Sequence, residues 1–426
     1  GNAQAAILQA TRALDLLPAE DASSRSGVWF NLGAAYLLTG QIEQAVSAHA
    51  SALDLSLACD NMHIVMLSAY HYGGLLLMQG RLHEGEAVFQ RALQTLEQHP
   101  NQGAATSPTA GAIFAEYAAL LMEWNRLDEA AELLARGDAL SRQGGYMTAQ
   151  VAIAMAYVDY YRLRGNPSAG LDAIQRAFDA LQGAEATALL RQMSAVRARL
   201  WVMAGDFQKA AAWETSLPPV TEATPDYLEE IETSVRIDLY LAQQRFTDAL
   251  ELLDGQTARY TASGQTSRLI KCHLLRAIVL QALGQTAPAL DSLQQALVLA
   301  EPEGYLSTFI EAGTPAAMLL AAYRRQPGIP AALRDYAACL LAALRGEPLE
   351  TAPQPTQSID LPEPLTPREL EILRLMAGGA TNQEIAARLI LSLGTVKAHI
   401  NHIMGKLTAR NRTEAVLRAQ ALGLVE

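Results

Sequence analysis

VWFNLGAAYLLTGQIEQAVSAHASAL, residues 28–53, reads as a helix, a tight turn and a second helix. Its apolar and small residues fall as Trp29-x2-Leu32-Gly33-x2-Tyr36, then Gly40, then Ala45 and Ala52. Two helical stripes thus flank a residue that can take positive φ without strain. Equivalent positions recur as Gly73, Gly80, Gly85, Phe89 and Ala92; Tyr117, Ala130 and Leu134; Tyr157, Tyr161, Gly165, Ile174 and Ala177; Trp201, Gly205 and Ala210; Tyr240, Ala249 and Leu253; and Leu280, Gly284, Ala289, Leu293 and Ala296. The expected inter-helix turns, Gly40, Gly80, Asn125, Gly165, Gly205, Gln244 and Gly284, lie 40, 45, 40, 40, 39 and 40 residues apart. A helix pair cannot bury its apolar face alone, so pairs repeated at this period must stack into a superhelix. The chain is expected to be all-α.

The spacing from Trp29 to Ala52 resembles the tetratricopeptide pattern, with His49 where that pattern has an aromatic residue. A period near 40 exceeds the usual repeat of about 34 residues and predicts longer helices or longer connections. Tyr117, Tyr157, Tyr161, Trp201 and Tyr240 stand at signature core positions and are expected to pack rather than to serve as sugar platforms. Aligning the units places Asp159, Arg162, Arg199 and Asp238 on the first-helix face, which lines the concave side of tetratricopeptide superhelices. Ordinary units carry small or apolar residues there. These four are candidate inducer-binding residues, or else ordinary inter-repeat ion pairs. Before Pro18, Ala5-Ala6-Ile7-x2-Ala10-x2-Ala13-Leu14 reads as the second helix of a pair whose first helix lies upstream.

Residues 365–422 change character. Thr366-Pro367-Arg368-Glu369 forms a capping box before the stripe Leu370, Leu373, Met376. Gly378-Gly379 ends that helix, and Thr381-Asn382-Gln383-Glu384 is a second capping box before Ile385, Ala386 and Leu389. Ser392 caps a third helix with Val396, Ile400, Ile403 and Leu407 as its buried stripe. Two helices joined by a tight turn, the second with a polar face, form a helix-turn-helix.

Leu365-Thr366-Pro367-Arg368-Glu369, Asn382-x-Glu384-Ile385-Ala386, Ser392-x-Gly394-Thr395-Val396-Lys397-x-His399, Lys406-Leu407 and Arg410-Asn411-Arg412-Thr413-Glu414-Ala415-Val416 together resemble the LuxR-type helix-turn-helix domain. The resemblance and the helix geometry agree on roles for double-stranded DNA. Lys397 would donate to guanine, Asn401 pair with adenine and Ala398 touch a thymine methyl. Asn382, Gln383, Thr395, Lys406 and Arg412 would meet phosphates. His399 and His402 lack a third ligand nearby, so no metal site is expected. The last helix, Thr413 to Leu422, pairs two copies in LuxR-type domains, which implies a homo-oligomer on DNA; Ala415, Val416, Ala419 and Leu422 read equally as core within one domain.

Repeats leading into such a domain, through the run from Leu297 to Glu311, are similar to the MalT-like branch of large ATP-dependent LuxR regulators. That resemblance implies a sensor solenoid for a small-molecule or protein inducer, with RNA polymerase as a partner. It also implies a P-loop ATPase ahead of the solenoid. No G-x-x-x-x-G-K-[ST] occurs in these 426 residues. The expected organisation is a helical-repeat sensor over 1–345, a Pro-rich linker over 346–362 and the DNA-binding domain over 363–426. The other function weighed is a protein-interaction scaffold with a vestigial helix-turn-helix.

Composition fits this organisation. Half the residues are hydrophobic and only 6% aromatic, as in helical proteins with many small buried side chains. Of 32 basic and 44 acidic residues, 359–426 hold eight and seven, leaving an acidic body of 24 against 37. Such a body repels DNA, and phosphate contact falls to the C-terminal unit. Cys59, Cys272 and Cys339 are odd in number and without metal spacing. With no signal peptide and no membrane-spanning run, cytoplasmic residence is expected. No nucleophile–base pair or phosphate loop points to an enzyme, and no cofactor is expected within this chain, ATP being left to an upstream domain.

Overall fold

The computed structural model describes residues 3–98, 110–144, 147–181, 187–219, 226–347, 367–378, 380–389, 393–407, 409 and 412–421. Every element among them is helical. The chain divides into two compact units, Gly1–Pro353 and Gln354–Glu426.

In the first unit α1 (Ala3–Leu16) precedes seven helix pairs. They are α2 (Ala22–Leu38) with α3 (Ile42–Ala58), α4 (Met62–Met78) with α5 (Leu82–Gln98), α6 (Ala110–Glu123) with α7 (Leu127–Gly144), and α8 (Met147–Leu163) with α9 (Pro167–Ala180). Then come α10 (Thr187–Met203) with α11 (Phe207–Ser216), α12 (Asp226–Ala242) with α13 (Phe246–Ser263), and α14 (Thr266–Ala282) with α15 (Thr286–Ala300). A 3-10 turn (Glu301–Glu303) leads to α16 (Ser307–Glu311), α17 (Gly313–Tyr323) and α18 (Ala331–Leu344). The second unit holds α19 (Pro367–Ala377), α20 (Asn382–Leu389), α21 (Leu393–Lys406) and α22 (Arg412–Ala421). The long period is explained by the helices, since α2, α3, α4 and α5 each run 17 residues.

All seven expected turns carry a left-handed residue, with φ between 57° at Asn125 and 78° at Gly80. At each the chain closes in the same way. Gly40 N–H donates to the Leu37 carbonyl and Gln41 N–H to that of Tyr36, and Gln244 and Arg245 repeat the pattern on Leu241 and Tyr240. This is the Schellman closure, which satisfies the last carbonyls of the first helix and reverses the chain. A Cβ at positive φ is strained, so the two turns without glycine are the weak ones. Gln244 is exposed and has φ 58°. Gln244→Gly is therefore expected to stabilise the solenoid by about 0.5–1 kcal/mol, the relief of strain outweighing the extra freedom of the unfolded chain. An unchanged or lowered melting temperature would contradict this.

Within a pair, close packing needs a glycine on the first helix. A Cβ on Gly73 would collide with the ring of Phe89, and one on Gly33 with the ring of His49. His49 thus fills the place that Phe89 fills one repeat later, as the repeat alignment implies. It is completely buried, neither ring nitrogen has a hydrogen-bond partner among the described residues, and it stacks on His71 at 5.1 Å beside Phe30. Burial, with the His71 charge second, holds its pKa down at about 3. A folded chain that refuses this proton competes with an unfolded one that accepts it below about 6.5. Stability from this site is complete above pH 6.5 and is lost as pH falls toward 3, by about 2 kcal/mol at pH 5. His49→Phe should remove that share of the acid sensitivity in urea unfolding at pH 7 and pH 5.

The end of the solenoid folds back on its second and third helix pairs. Trp124 Nε1 donates to the Glu303 carbonyl at 2.8 Å, His83 N–H to Glu303 Oε2 at 3.0 Å, and Leu306 N–H to the Glu123 carbonyl at 2.9 Å. Ser267 Oγ bonds the Leu77 carbonyl and the Tyr305 hydroxyl, and Ser307 Oγ the Met122 carbonyl. Tyr305 and Phe309 are fully buried, in one core that joins residues of α4 to α8 with residues of α14 to α18. The superhelix is therefore closed across α4, α6 and α14, and its inner face becomes a walled interior.

Candidate nucleic-acid interface and solenoid cavity

In the second unit α19 and α20 pack on α21, and α22 closes the bundle against α19 and α21. Ile372, Leu373, Met376, Ile385, Val396, Ile400, Ile403, Leu407, Ala415 and Ala419 form its core, so the buried stripe of α21 is the one the periodicity predicts. The second capping box is present. Glu384 N–H donates to Thr381 Oγ1 at 3.3 Å, and Thr381 N–H to Glu384 Oε2 at 2.7 Å. Those bonds hold the Glu384 carboxyl below its ordinary range. Of the first capping box, Thr366 lies outside the described residues. Glu369 is buried and takes the Lys406 ammonium at 2.9 Å.

The residues expected to meet DNA fall into three groups. Lys397 on α21 and Gln383 on α20 are exposed. The side chains of Thr395, Ala398 and Asn401 lie outside the described residues, although their backbone belongs to α21. Lys406 and Arg412, expected at phosphates, have partners inside the unit. Lys406 is only 10% exposed against Glu369, and Arg412 donates to the Ala380 carbonyl at 2.6 Å and to Asn382 Oδ1 at 3.2 Å. Arg412 thereby ties α22 to the start of α20 and engages Asn382. Among the described residues no cluster of three or more His, Cys, Asp and Glu could hold a metal.

In the first unit the structure brings together the four polar residues of the concave face. Arg162, Arg199 and Asp238 line one cavity of 230 Å³, and Asp159, Arg162 and Arg199 an adjoining one of 130 Å³. Arg199 Nε meets Asp238 Oδ2 at 2.9 Å and its NH2 donates to Ser234 Oγ at 2.8 Å, while Arg162 Nε meets Asp159 Oδ1 at 3.2 Å. Arg199–Asp238 is thus an ion pair between repeats, and the same two residues form part of a cavity wall. The aromatic side chains at signature positions pack as expected. Tyr117 is buried against Phe89, and Tyr157 stacks on Tyr161 at 6.0 Å.

Comparison with known proteins accords with this architecture. The model of the MalT-like TPR region matches residues 1–326, three quarters of the chain. The chain belongs to the MalT-like TPR family. Residues 363–419 of this MalT-like chain match the bacterial regulatory proteins of the luxR family. Similar proteins include the HTH-type transcriptional regulator MalT of Yersinia enterocolitica, 26% identical over 441 residues covering 99% of this chain and 48% of the relative. The regulator of the same name from Yersinia pestis is 26% identical over 432 residues, covering 97% and 47%. The chain spans about half the length of the curated relatives it matches.

Sequence reasoning missed part of the cavity of this MalT-like solenoid. Lys271 on α14 and Thr308 and Glu311 on α16 complete its wall. Glu311 pairs with Arg162, its Oε2 lies 4.0 Å from Lys271 Nζ, and Thr308 Oγ1 donates to Glu123 Oε2 at 3.0 Å. Burial pushes the Lys271 ammonium down to about 8 and the Glu123 carboxyl up. Lys271 escapes repeat alignment because it is out of register with Arg199 and Asp238. Its signal was rarity, as one of four lysines in the chain, set in the apolar run Leu269-Ile270-Lys271-Cys272.

Proposed function

We propose that the chain is a DNA-binding transcriptional regulator, with the C-terminal unit reading promoter DNA and the walled interior of the solenoid sensing an inducer or partner. The observation that carries the first half is an α20–α21 pair that matches the luxR family, with α20 capped at Thr381 and Lys397 exposed on α21. In this reading Lys397, Ala398 and Asn401 face base edges, Gln383 and Thr395 meet phosphates, and Lys406, Arg412 and Asn382 hold the unit together. The second half rests on the cavity that Arg162, Arg199 and Asp238 share, with Asp159 alongside. A nearly neutral reader joined to an acidic solenoid has little non-specific attraction for DNA. Useful affinity then needs several copies side by side, with RNA polymerase as the partner recruited.

The test is fluorescence anisotropy of the 426-residue chain with promoter fragments at several salt concentrations. Lys397→Ala should cost about 1–3 kcal/mol of discrimination between specific and random DNA. Binding that is indifferent to sequence, or untouched by Lys397→Ala together with Asn401→Ala, sinks the proposal.

A further inference from the structure

We infer that the solenoid cavity takes a small organic anion, a carboxylate or phosphate head carrying a short hydrocarbon part. The inference rests on the reading of the interior as the sensing site and adds the ligand class. Three cationic side chains, Arg162, Arg199 and Lys271, line the cavity against two anionic ones, Asp238 and Glu311. The carboxylates are committed to the arginines, Asp238 to Arg199 at 2.9 Å and Glu311 to Arg162. Among the described residues, Lys271 has no closer carboxylate oxygen than Glu311 Oε2 at 4.0 Å, the outer limit of an ion pair. The Lys271 side chain is a third exposed and has no anion nearer than that, so an anionic oxygen between Lys271 and Arg199 would supply charge-assisted hydrogen bonds to both.

The rest of the wall fixes the remainder of the ligand. Val202, Met203, Leu241, Leu274 and Leu275 form an apolar side, and none of the lining residues is aromatic. A neutral sugar would find a ring only at Tyr260, in the adjoining cavity that shares Arg199, Lys271 and Leu275, whereas a short alkyl part finds five aliphatic side chains here. At 230 Å³ the space amounts to several water volumes of about 30 Å³ each, the size of a short-chain acid. Because Thr308 and Glu311 belong to α16, an anion here also touches the segment that closes the solenoid. It would compete with Glu311 for Arg162.

The test is calorimetric titration of the 426-residue chain at constant ionic strength with hexanoate, hexyl phosphate, inorganic phosphate, hexanol and a neutral glucose trimer. Saturable binding of hexanoate or hexyl phosphate is expected, whichever binds tighter naming the head group, with hexanol at least tenfold weaker. Lys271→Met should weaken the anion at least tenfold, and Lys271→Arg, which keeps the charge, should restore most of it. Hexanol binding as well as hexanoate, or anion binding untouched by Lys271→Met, overturns the anion class. Binding of the glucose trimer with the anions inert also overturns it but leaves the interior as a sensing site. Heats absent for every probe overturn both.

Discussion

Tyr305→Ala is expected to cost about 3–5 kcal/mol and to open the solenoid at the place where its end meets the second and third helix pairs. Tyr305 is fully buried and among the largest completely enclosed side chains of the described residues. Its hydroxyl meets Ser267 Oγ, which also donates to the Leu77 carbonyl, and its own carbonyl accepts from the Tyr336 hydroxyl. The side chain thus bonds α14 at Ser267, which in turn holds α4, while the backbone of the same residue holds α18. Truncation leaves a cavity the size of a ring between α4 and a closing segment distant from it in sequence, so the neighbours cannot collapse into it without breaking the closure. Tyr305→Phe separates the two contributions: it keeps the ring, loses one hydroxyl bond and should cost only about 1–2 kcal/mol. In thermal unfolding the alanine variant should show an early transition for the closing segment. A single transition at the wild-type temperature would show that the contacts of Glu303, Tyr305 and Ser307 contribute nothing to stability.

This closure also marks where the sequence stopped being legible. The turns could be read because a helix reversal of this kind demands positive φ, which the chain announces with glycine at five of the seven places and with periodicity at Asn125 and Gln244. The capping box at Thr381 and Glu384 was legible for a similar reason, since all its partners lie within three residues. Nothing local announces that Glu303 will receive His83 N–H from 220 residues away. Long-range contact leaves no period, so Leu297 to Glu311 read only as the end of a solenoid. The cavity was half legible. Asp159, Arg162, Arg199 and Asp238 stood out as polar residues at positions that ordinary repeats fill with small or apolar ones. Lys271, Thr308 and Glu311 did not, because they enter from an unaligned turn of α14 and from outside the repeats.

The DNA-binding unit makes the second large prediction, because Lys406, expected at a phosphate, is paired with Glu369 in the structure. Lys406 looked like a phosphate contact because it is basic and close to the reading helix. In the structure its ammonium and the Glu369 carboxylate, 37 residues apart, are 10% and 4% exposed and 2.9 Å from one another. Removing one partner of such a pair leaves an uncompensated charge in the interior. Lys406→Met or Glu369→Leu alone should therefore cost about 3–5 kcal/mol and abolish DNA binding by unfolding the unit. Replacing both at once removes two desolvated charges together and fills the space with apolar atoms, which is commonly neutral or stabilising by about 1–4 kcal/mol. The double variant should then fold and, if Lys406 never touches phosphate, should bind DNA with wild-type affinity and an unchanged salt dependence. Were Lys406 a phosphate contact, the folded double variant would bind more weakly to every sequence and its salt slope would fall by about 1. Circular dichroism melts and a salt series of anisotropy titrations on the four proteins of this cycle separate the outcomes. The same comparison bears on Arg412, whose guanidinium is likewise engaged inside the unit, on the Ala380 carbonyl and Asn382. A basic residue contributes phosphate affinity only when its charge reaches solvent, and in α21 that condition is met by Lys397.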